Sequence, residues 1–133
     1  MLFFLQSPSS GRFSEKIYEK YNHIDILINN AGISASKKIE DTTTKEFNDI
    51  MNLNVNAMYN VTKAVVPYMK KAQNGVILNT SSMVSIYGQP SGVGYPTSKF
   101  AVNANGSMDK FNKAAAEAGV MASQMNVERG ARN

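Results

Sequence analysis

The spacing of apolar residues in the first part of the chain predicts one helix and one buried strand. Phe13, Ile17 and Tyr21 recur every four residues in FSEKIYEKY, so they lie on one face of a helix. The run IDILINN at residues 24–30 is short and apolar almost throughout, which is typical of a strand buried on both faces in a parallel sheet. A short strand at residues 2–6 and a loop at SPSSG are predicted before this helix.

A longer amphipathic helix is predicted next. TTKE at residues 43–46 has the spacing of a capping box, in which the Thr hydroxyl and the Glu carboxylate satisfy free backbone N–H groups. Pro67 should bend the last turn, and the Asn-Gly pair at 74–75 should end the helix. VILNTSS then predicts a second buried strand at residues 76–80. The apolar positions that define the helix are Phe47, Ile50, Met51, Val55, Met58, Val61, Val65 and Met69.

The last part of the chain predicts a loop and a final helix. Gly, Ser and Pro residues predict the loop at 83–94, and the helix should begin near Tyr95 and weaken at NANG, residues 103–106, where the Gly alone costs ~1 kcal/mol. Gly119 would cap this helix, followed by a frayed tail with no further strand. Helices alternating with buried strands predict an α/β fold with a parallel sheet. The apolar positions of the final helix are Ala101, Ala104, Met108, Phe111, Ala115 and Ala118.

Composition then restricts the function. The chain has 133 residues, enough for one domain, and its fourteen Lys and Arg residues are spread along it at a net charge of +4. This pattern disfavours a nucleic-acid partner and fits mild affinity for anionic ligands. Without cysteine there is no disulfide or thiolate metal site, and the single His23 cannot build a zinc site, so no metal is expected. The apolar start MLFFL is too short for a membrane span, so no membrane partner and a cytoplasmic location are expected.

Tyr95 and Lys99 are the first candidates for chemistry. At i and i+4 on a helix, their side chains lie on one face within reach of each other. A phenol is a poor base at neutral pH, and an adjacent ammonium group favours the phenolate, which makes Tyr a workable acid or base. The Y-x-x-x-K spacing alone is weak evidence, because Tyr and Lys are common on helices, so an ordinary helical pair is the alternative.

Two further polar motifs are predicted at one edge of the sheet. Ser82 follows the second strand, and NNAG at residues 29–32 follows the first. Ligands bind at the carboxyl ends of strands in open α/β sheets, where a Ser hydroxyl can donate to a substrate oxygen and small residues let a ligand approach. The Asn amides of NNAG can also tie neighbouring strands together. Alternatively, NTSS only caps backbone groups at the strand end, and NNAG is an ordinary strand-to-loop turn.

The order NNAG, NLNVNA, GVILNTSS and YPTSK resembles the classical short-chain dehydrogenase/reductase family, and 3-oxoacyl-acyl-carrier-protein reductases within it. The resemblance covers residues 13–102 and leaves 103–133 as a divergent tail. It implies a partial Rossmann-like, doubly wound parallel sheet with flanking helices, lacking the first strand–helix unit and the C-terminal strands. It also implies hydride transfer between NAD or NADP and a small alcohol or ketone.

The resemblance implies a role for each catalytic candidate. Tyr95 would be the general acid/base, and Lys99 would favour its phenolate and hydrogen-bond the nicotinamide ribose. Ser82 would orient and polarise the substrate oxygen. Asn54 would hold a water of the proton relay through its backbone, although the neighbouring Asn residues at 52 and 56 leave a choice of register. The cofactor would contact Asn29, Ala31, Gly32, Tyr95 and Lys99.

The sequence departs from the family pattern at both ends. No Gly-rich loop that would cradle a pyrophosphate precedes Asn29, and the residue that would select NAD or NADP is absent with it. The expected substrate-covering segment after SKFAVN is also absent. A truncated gene product, a recombined sequence and a degenerate paralogue all fit these departures. The alternative function is a catalytically inactive fragment or association module, and a homo-oligomer is expected through the helices starting near Thr44 and Tyr95.

Overall fold

Three parallel strands organise the protein in a computed structural model, which describes residues 10–106 and 120–125. β2 lies between the other two strands, and all pairings are parallel. Leu27 of β1 stands opposite Ile77 of β2, and Gly75 of β2 stands opposite Val120 of β3. The α/β fold with a parallel sheet is therefore confirmed. The strands are β1 (Ile26–Asn29), β2 (Gly75–Thr80) and β3 (Val120–Met125).

Five helices accompany the strands within the described residues. A 3₁₀ turn at Ile39–Asp41 precedes α2, and a π-helical turn at Asn52–Asn56 joins α2 to α3. None of these helices has the length and apolar composition that crossing a membrane requires. The helices are α1 (Ser10–Tyr21), α2 (Thr44–Met51), α3 (Ala57–Ala72), α4 (Val84–Tyr87) and α5 (Gly94–Gly106).

The core lies between the sheet and the pair α1 and α3. Leu27 and Ile77 are neighbours in register, and both are almost completely buried because they point to the same face of the sheet. Met69 of α3 is fully buried on that face, and burial of such a side chain contributes about 1.5–3 kcal/mol. The predicted apolar face of α3 is therefore confirmed. The core cluster consists of Ile17, Ile24, Leu27, Val61, Val65, Met69 and Ile77.

Several predicted boundaries differ from those observed. α1 begins at Ser10, so the last two residues of SPSSG belong to the helix instead of the loop. The long helix is interrupted by the π-helical turn, and α3 continues past Pro67. α3 ends at Ala72, and its C-cap Gln73 takes the left-handed conformation (φ 51°) while its N–H donates to the Lys70 carbonyl. The helix thus ends just before the predicted Asn-Gly pair, although Gln73 is the residue that caps it and Gly75 already belongs to β2. The strand predicted at residues 2–6 lies outside the described residues.

The predicted loop at 83–94 contains the short helix α4. The backbone N–H of Ser85 bonds the Ser82 carbonyl, and those of Ile86 and Tyr87 bond the Met83 carbonyl. Four residues are too few to show a helical period, so the Gly, Ser and Pro composition around α4 dominated the prediction.

The expectation that no strand follows the final helix is wrong. β3 pairs with β2 along its whole length. VMASQM has only a weak apolar pattern, and its extended conformation comes from backbone pairing with β2, which local sequence does not reveal. The fold therefore includes a C-terminal strand, and β2 has a neighbour on both sides. The predicted cap at Gly119 and the frayed tail lie outside the described residues.

The predicted capping box at the start of α2 is confirmed. The Glu46 N–H donates to the Thr43 hydroxyl oxygen (3.2 Å), and the Thr43 N–H donates to the Glu46 carboxylate (2.9 Å). Lys37, from the loop after β1, also donates to this carboxylate. The hydrogen bond from Lys37, followed by those from Thr43, lowers the pKa of Glu46 from 4.5 to about 2.

This depressed pKa predicts a pH-dependent contribution of Glu46 to stability. Because the folded-state pKa lies below the unfolded value of 4.5, the stabilisation is complete above that pH and is lost as the pH falls towards 2. Glu46→Gln keeps an acceptor but loses the charge, so it should destabilise at pH 7 and have little effect near pH 2. Denaturant midpoints measured across this range, with Glu40→Gln as the control, test this; a Glu46→Gln effect independent of pH would contradict it.

Candidate active site

One cleft of about 620 Å³ brings together Ser82, Tyr95, Lys99 and Gly32. Asn30, residues 32–34 and residues 80–84 line it, so it lies at the carboxyl ends of β1 and β2. Open α/β sheets bind their ligands at this position. The structure therefore joins three predicted catalytic residues and one predicted cofactor residue in a single site.

Lys99 lies at the floor of this cleft. It follows Tyr95 by one turn of α5 and is 5% exposed. Its Nζ donates to the Thr80 carbonyl (2.8 Å) and lies 5.7 Å from the centre of the Tyr95 ring. Burial lowers the pKa of the Lys99 ammonium because desolvation disfavours its charged form. The Thr80 carbonyl at the end of β2 holds the Lys99 Nζ beside the phenol ring.

A second Y-x-x-x-K sequence in the chain shows that this spacing alone brings a Lys ammonium near a Tyr ring without forming a site. In YNVTK on α3, the Lys63 Nζ lies 6.0 Å from the centre of the Tyr59 ring. Both residues are exposed, and neither lines the cleft. The helical pair is therefore common to both sequences, while position at the sheet edge distinguishes Tyr95 and Lys99.

Ser82 is placed by a tight turn after β2. Its carbonyl accepts the backbone N–H of Ser85 (3.0 Å) and the Ser85 hydroxyl, and its own side chain lines the cleft. The capping predicted for NTSS is thus present, but Ser81 and Ser85 contribute most of it. The Ser81 hydroxyl lies 3.3 Å from the Lys99 carbonyl and 3.1 Å from the Ser85 hydroxyl.

Asn54 joins three parts of the site through its side chain. It is 2% exposed and lies in the π-helical turn, a feature that often marks functional sites. Its Oδ1 accepts the Ile33 N–H (2.8 Å), and its Nδ2 donates to the Ile33 carbonyl (2.9 Å) and the Ser98 hydroxyl (2.8 Å). The Asn residues at 52 and 56 are exposed and bond each other (2.8 Å), so Asn54 is the one that faces the site.

Asn29 and Ala31 lie behind the cleft instead of lining it. The Asn29 Nδ2 donates to the Asn79 Oδ1 (2.8 Å) and the Thr62 hydroxyl (3.0 Å), so it ties β1 to β2 and α3. Both residues border a small void of about 20 Å³, which Asn54 and Lys99 also line. About 10–15 Å³ is enough for one water molecule. The prediction that the Asn amides of NNAG tie neighbouring strands together is confirmed for Asn29.

Two glycines allow close approaches that build the site. A Cβ on Gly32 would lie 3.2 Å from the Asn54 Oδ1 and 3.5 Å from the Lys99 Nζ, so a side chain there would crowd both groups. Gly92 has φ +72°, and a Cβ there would lie 1.8 Å from the Ala35 carbonyl oxygen. The Gly92 carbonyl in turn accepts the Tyr95 N–H (3.0 Å), so this contact sets where α5 begins.

Asn30, Thr80 and Gly92 are among the residues that build this site without having been predicted as site residues. Asn30 and Thr80 line the cleft, and the Thr80 hydroxyl donates to the Asn30 Oδ1 (2.9 Å). Both belong to motifs already quoted, NNAG and NTSS, so their position at strand ends was an available signal. Gly92 had no such signal, because its importance depends on the distant Ala35.

Comparisons with known proteins agree with this geometry. A family model described as short chain dehydrogenase matches residues 6–127, which extends beyond 13–102 at both ends. The chain is 56% identical over 88 residues to the 3alpha-hydroxysteroid dehydrogenase of Mediterraneibacter gnavus, covering 66% of this chain and 35% of that protein. It is 43% identical over 88 residues to the 3-oxoacyl-acyl-carrier-protein reductase FabG of Thermotoga maritima, covering 66% and 36%. The chain therefore spans little more than a third of the length of these relatives.

Solved structures are also similar to this chain over about half of their own length. The structure of ElxO with NADP bound is similar with a TM-score of 0.79 and 30% identity, over 89% of this chain and 48% of that one. The NAD⁺-bound xylitol dehydrogenase is similar with a TM-score of 0.79 and 28% identity, over 88% and 45%.

Proposed function

Because the chain belongs to the short-chain dehydrogenase family, we propose that the protein is an oxidoreductase that uses NAD or NADP and acts on a small secondary alcohol or ketone. The observation that carries the proposal is the cleft shared by Ser82, Tyr95 and Lys99. The proposal includes self-association through the helix that starts at Thr44 and continues into α3, and through α5, which carries the half-exposed Phe100.

The cleft fits the nicotinamide end of such a cofactor. Its volume of about 620 Å³ lies within the range of roughly 300–1,000 Å³ that small-molecule sites occupy. Lys99 supplies a cationic donor for ribose hydroxyls, and the missing side chain of Gly32 keeps the backbone close to Lys99 and Asn54. Asn29 and Ala31 support this side of the site from behind. When bound, the nicotinamide cofactor supplies the hydride for reduction or accepts it in oxidation.

Tyr95 and Ser82 act on the substrate oxygen. In reduction, the Tyr95 hydroxyl gives its proton to the ketone oxygen, and in oxidation the phenolate takes a proton from the alcohol. The Ser82 hydroxyl donates a hydrogen bond to the same oxygen and stabilises the negative charge that develops there. The Lys99 ammonium, held beside the ring by the Thr80 carbonyl, stabilises the phenolate.

Asn54 completes the path by which the proton is replaced. The small void lined by Asn54, Lys99 and Thr80 has room for one water molecule. A water held there by the Asn54 backbone carbonyl would connect the Lys99 ammonium to solvent. The side chain of Asn54 is already occupied by Ile33 and Ser98, which leaves its backbone for this role.

Titration with NADH and with NADPH, followed by cofactor fluorescence, tests the proposal. We expect saturable binding of at least one cofactor, and a Kd about tenfold or more weaker in Lys99→Met, because a charge-assisted hydrogen bond is lost. Lys63→Met removes the exposed Lys of YNVTK and should leave Kd unchanged. Turnover is then measured with a 3α-hydroxysteroid and a 3-oxoacyl thioester, because the names of the two relatives refer to compounds of these classes. Absence of both binding and turnover would overturn the proposal in favour of an inactive association module.

A further inference from the structure

A buried polar network behind Ser82 is not used by the mechanism above. It consists of the hydroxyls of Ser81 and Ser85 and the side-chain amide of Asn103. Ser81 and Ser85 are 3% and 2% exposed. Buried polar groups are retained at a cost unless their hydrogen bonds are satisfied, so the way in which these groups are paired is informative.

Ser85 is the centre of this network. Its hydroxyl donates to the Ser82 carbonyl, and it accepts from the Asn103 Nδ2 (2.6 Å) and from the Ser81 hydroxyl (3.1 Å). A Ser hydroxyl has one hydrogen and two lone pairs, so these three bonds satisfy it completely. The bonding has a direction, from the Asn103 amide through the Ser85 hydroxyl to the Ser82 carbonyl.

This chain of bonds connects the two elements that carry the catalytic groups. Asn103 lies on α5, one turn after Lys99 and two turns after Tyr95, and therefore on the same side of the helix. Ser82 lies in the separate turn between β2 and α4.

We propose that Ser85 and Asn103 are positioning residues that hold the Ser82 hydroxyl in register with Tyr95. This inference rests on the proposed function, in which both hydroxyls must reach one substrate oxygen. A displacement of about 1 Å between reacting groups can lower a rate by ~10²-fold. Ser82 is the second residue after β2, and the bonds from Asn103 through Ser85 fix its carbonyl relative to α5, in addition to the bond from Lys99 to the Thr80 carbonyl.

The test compares Ser85→Ala, Asn103→Ala and the double variant. We expect kcat to fall about tenfold or more in each single variant, with an unchanged Kd for the cofactor, since Lys99 keeps its bond to Thr80. Because the two residues act through one chain of bonds, the double variant should be no slower than the slower single variant. Effects that multiply in the double variant would overturn the inference.

Ser14→Ala is the matched control for loss of a buried serine. Ser14 is 2% exposed, and its hydroxyl donates to the Gly11 carbonyl (2.9 Å) in α1, away from the cleft. Ser14→Ala should lower the melting temperature as Ser85→Ala does, while its kcat stays at the wild-type value. An equal loss of kcat in Ser14→Ala would reduce the role of Ser85 to stability alone and overturn the inference.

Amide NMR spectra of the same variants separate this inference from the proposed function. Asn103→Ala should shift the amide signal of Ser82, although the two residues belong to different elements, and Ser14→Ala should not. If the unsubstituted chain shows no turnover, the proposed function fails. The comparison of the NMR spectra of Asn103→Ala and Ser14→Ala then decides the inference by itself. An unshifted Ser82 signal overturns it. If Ser85→Ala does not melt cooperatively, the test relies on Asn103→Ala, because the Asn103 substitution leaves the turn at Ser82 intact.

Discussion

Replacing Tyr95 by Phe is expected to lower kcat by about 10²–10⁴-fold, the usual contribution of a general acid or base. The substitution removes only the phenol oxygen, so the ring stays above Lys99, and Lys99 keeps its bond to Thr80. Cofactor affinity should therefore remain within about twofold of the wild type, since the groups that stabilise it are unchanged. Steady-state oxidation and reduction, measured with the cofactor titration, give both quantities.

Tyr59→Phe is the internal control for this result. Tyr59 and Lys63 share the Y-x-x-x-K spacing and a similar distance between the ammonium and the ring, 6.0 Å against 5.7 Å. They lie on the exposed face of α3, so loss of the Tyr59 hydroxyl should leave kcat unchanged. Equal rates in the wild type and Tyr95→Phe would exclude Tyr95 as the proton donor.

The parts of the fold that could be predicted are those in which many residues repeat one signal. The apolar face of α3 recurs over four turns, and Met58, Val61, Val65 and Met69 are all buried as the period predicts. β3 is the opposite case, because its extended conformation depends on hydrogen bonds to β2, which no local pattern encodes. α4 is a single turn stabilised by bonds to Ser82 and Met83, and it is too short to have a period.

The candidate site divides in a similar way. The strand-end positions of NNAG and NTSS predicted that Gly32 and Ser82 lie at one edge of the sheet, because the ends of parallel strands meet there. The resemblance to the dehydrogenase family added Tyr95 and Lys99, and all four residues line one cleft. The bonds that hold them in place could not be predicted, since they join residues far apart in sequence. Asn54 bonds residues 21 and 44 positions away, and such pairings are known only once the fold is known.

Asn54→Ala should lower the free energy of unfolding by about 2–4 kcal/mol. The Asn54 side chain makes three hydrogen bonds, and loss of each costs about 0.5–1.5 kcal/mol. The Ser98 hydroxyl is completely buried, so water cannot easily replace its donor from Asn54. Urea unfolding at pH 7, analysed for both midpoint and slope, measures this loss.

Asn56→Ala provides the matched control, since it makes the same substitution in the same π-helical turn. Asn56 is exposed and bonds only Asn52 among the described contacts of its side chain. Ala is the better helix former, so Asn56→Ala should be neutral or slightly stabilising. Subtracting its effect removes the change in helix propensity and leaves the value of the Asn54 bonds. Equal unfolding midpoints for the two variants would contradict the prediction, because the Asn54 bonds would then not hold the loop at Ile33 against α5. The position of Tyr95 would instead depend on the contact between Gly92 and Ala35.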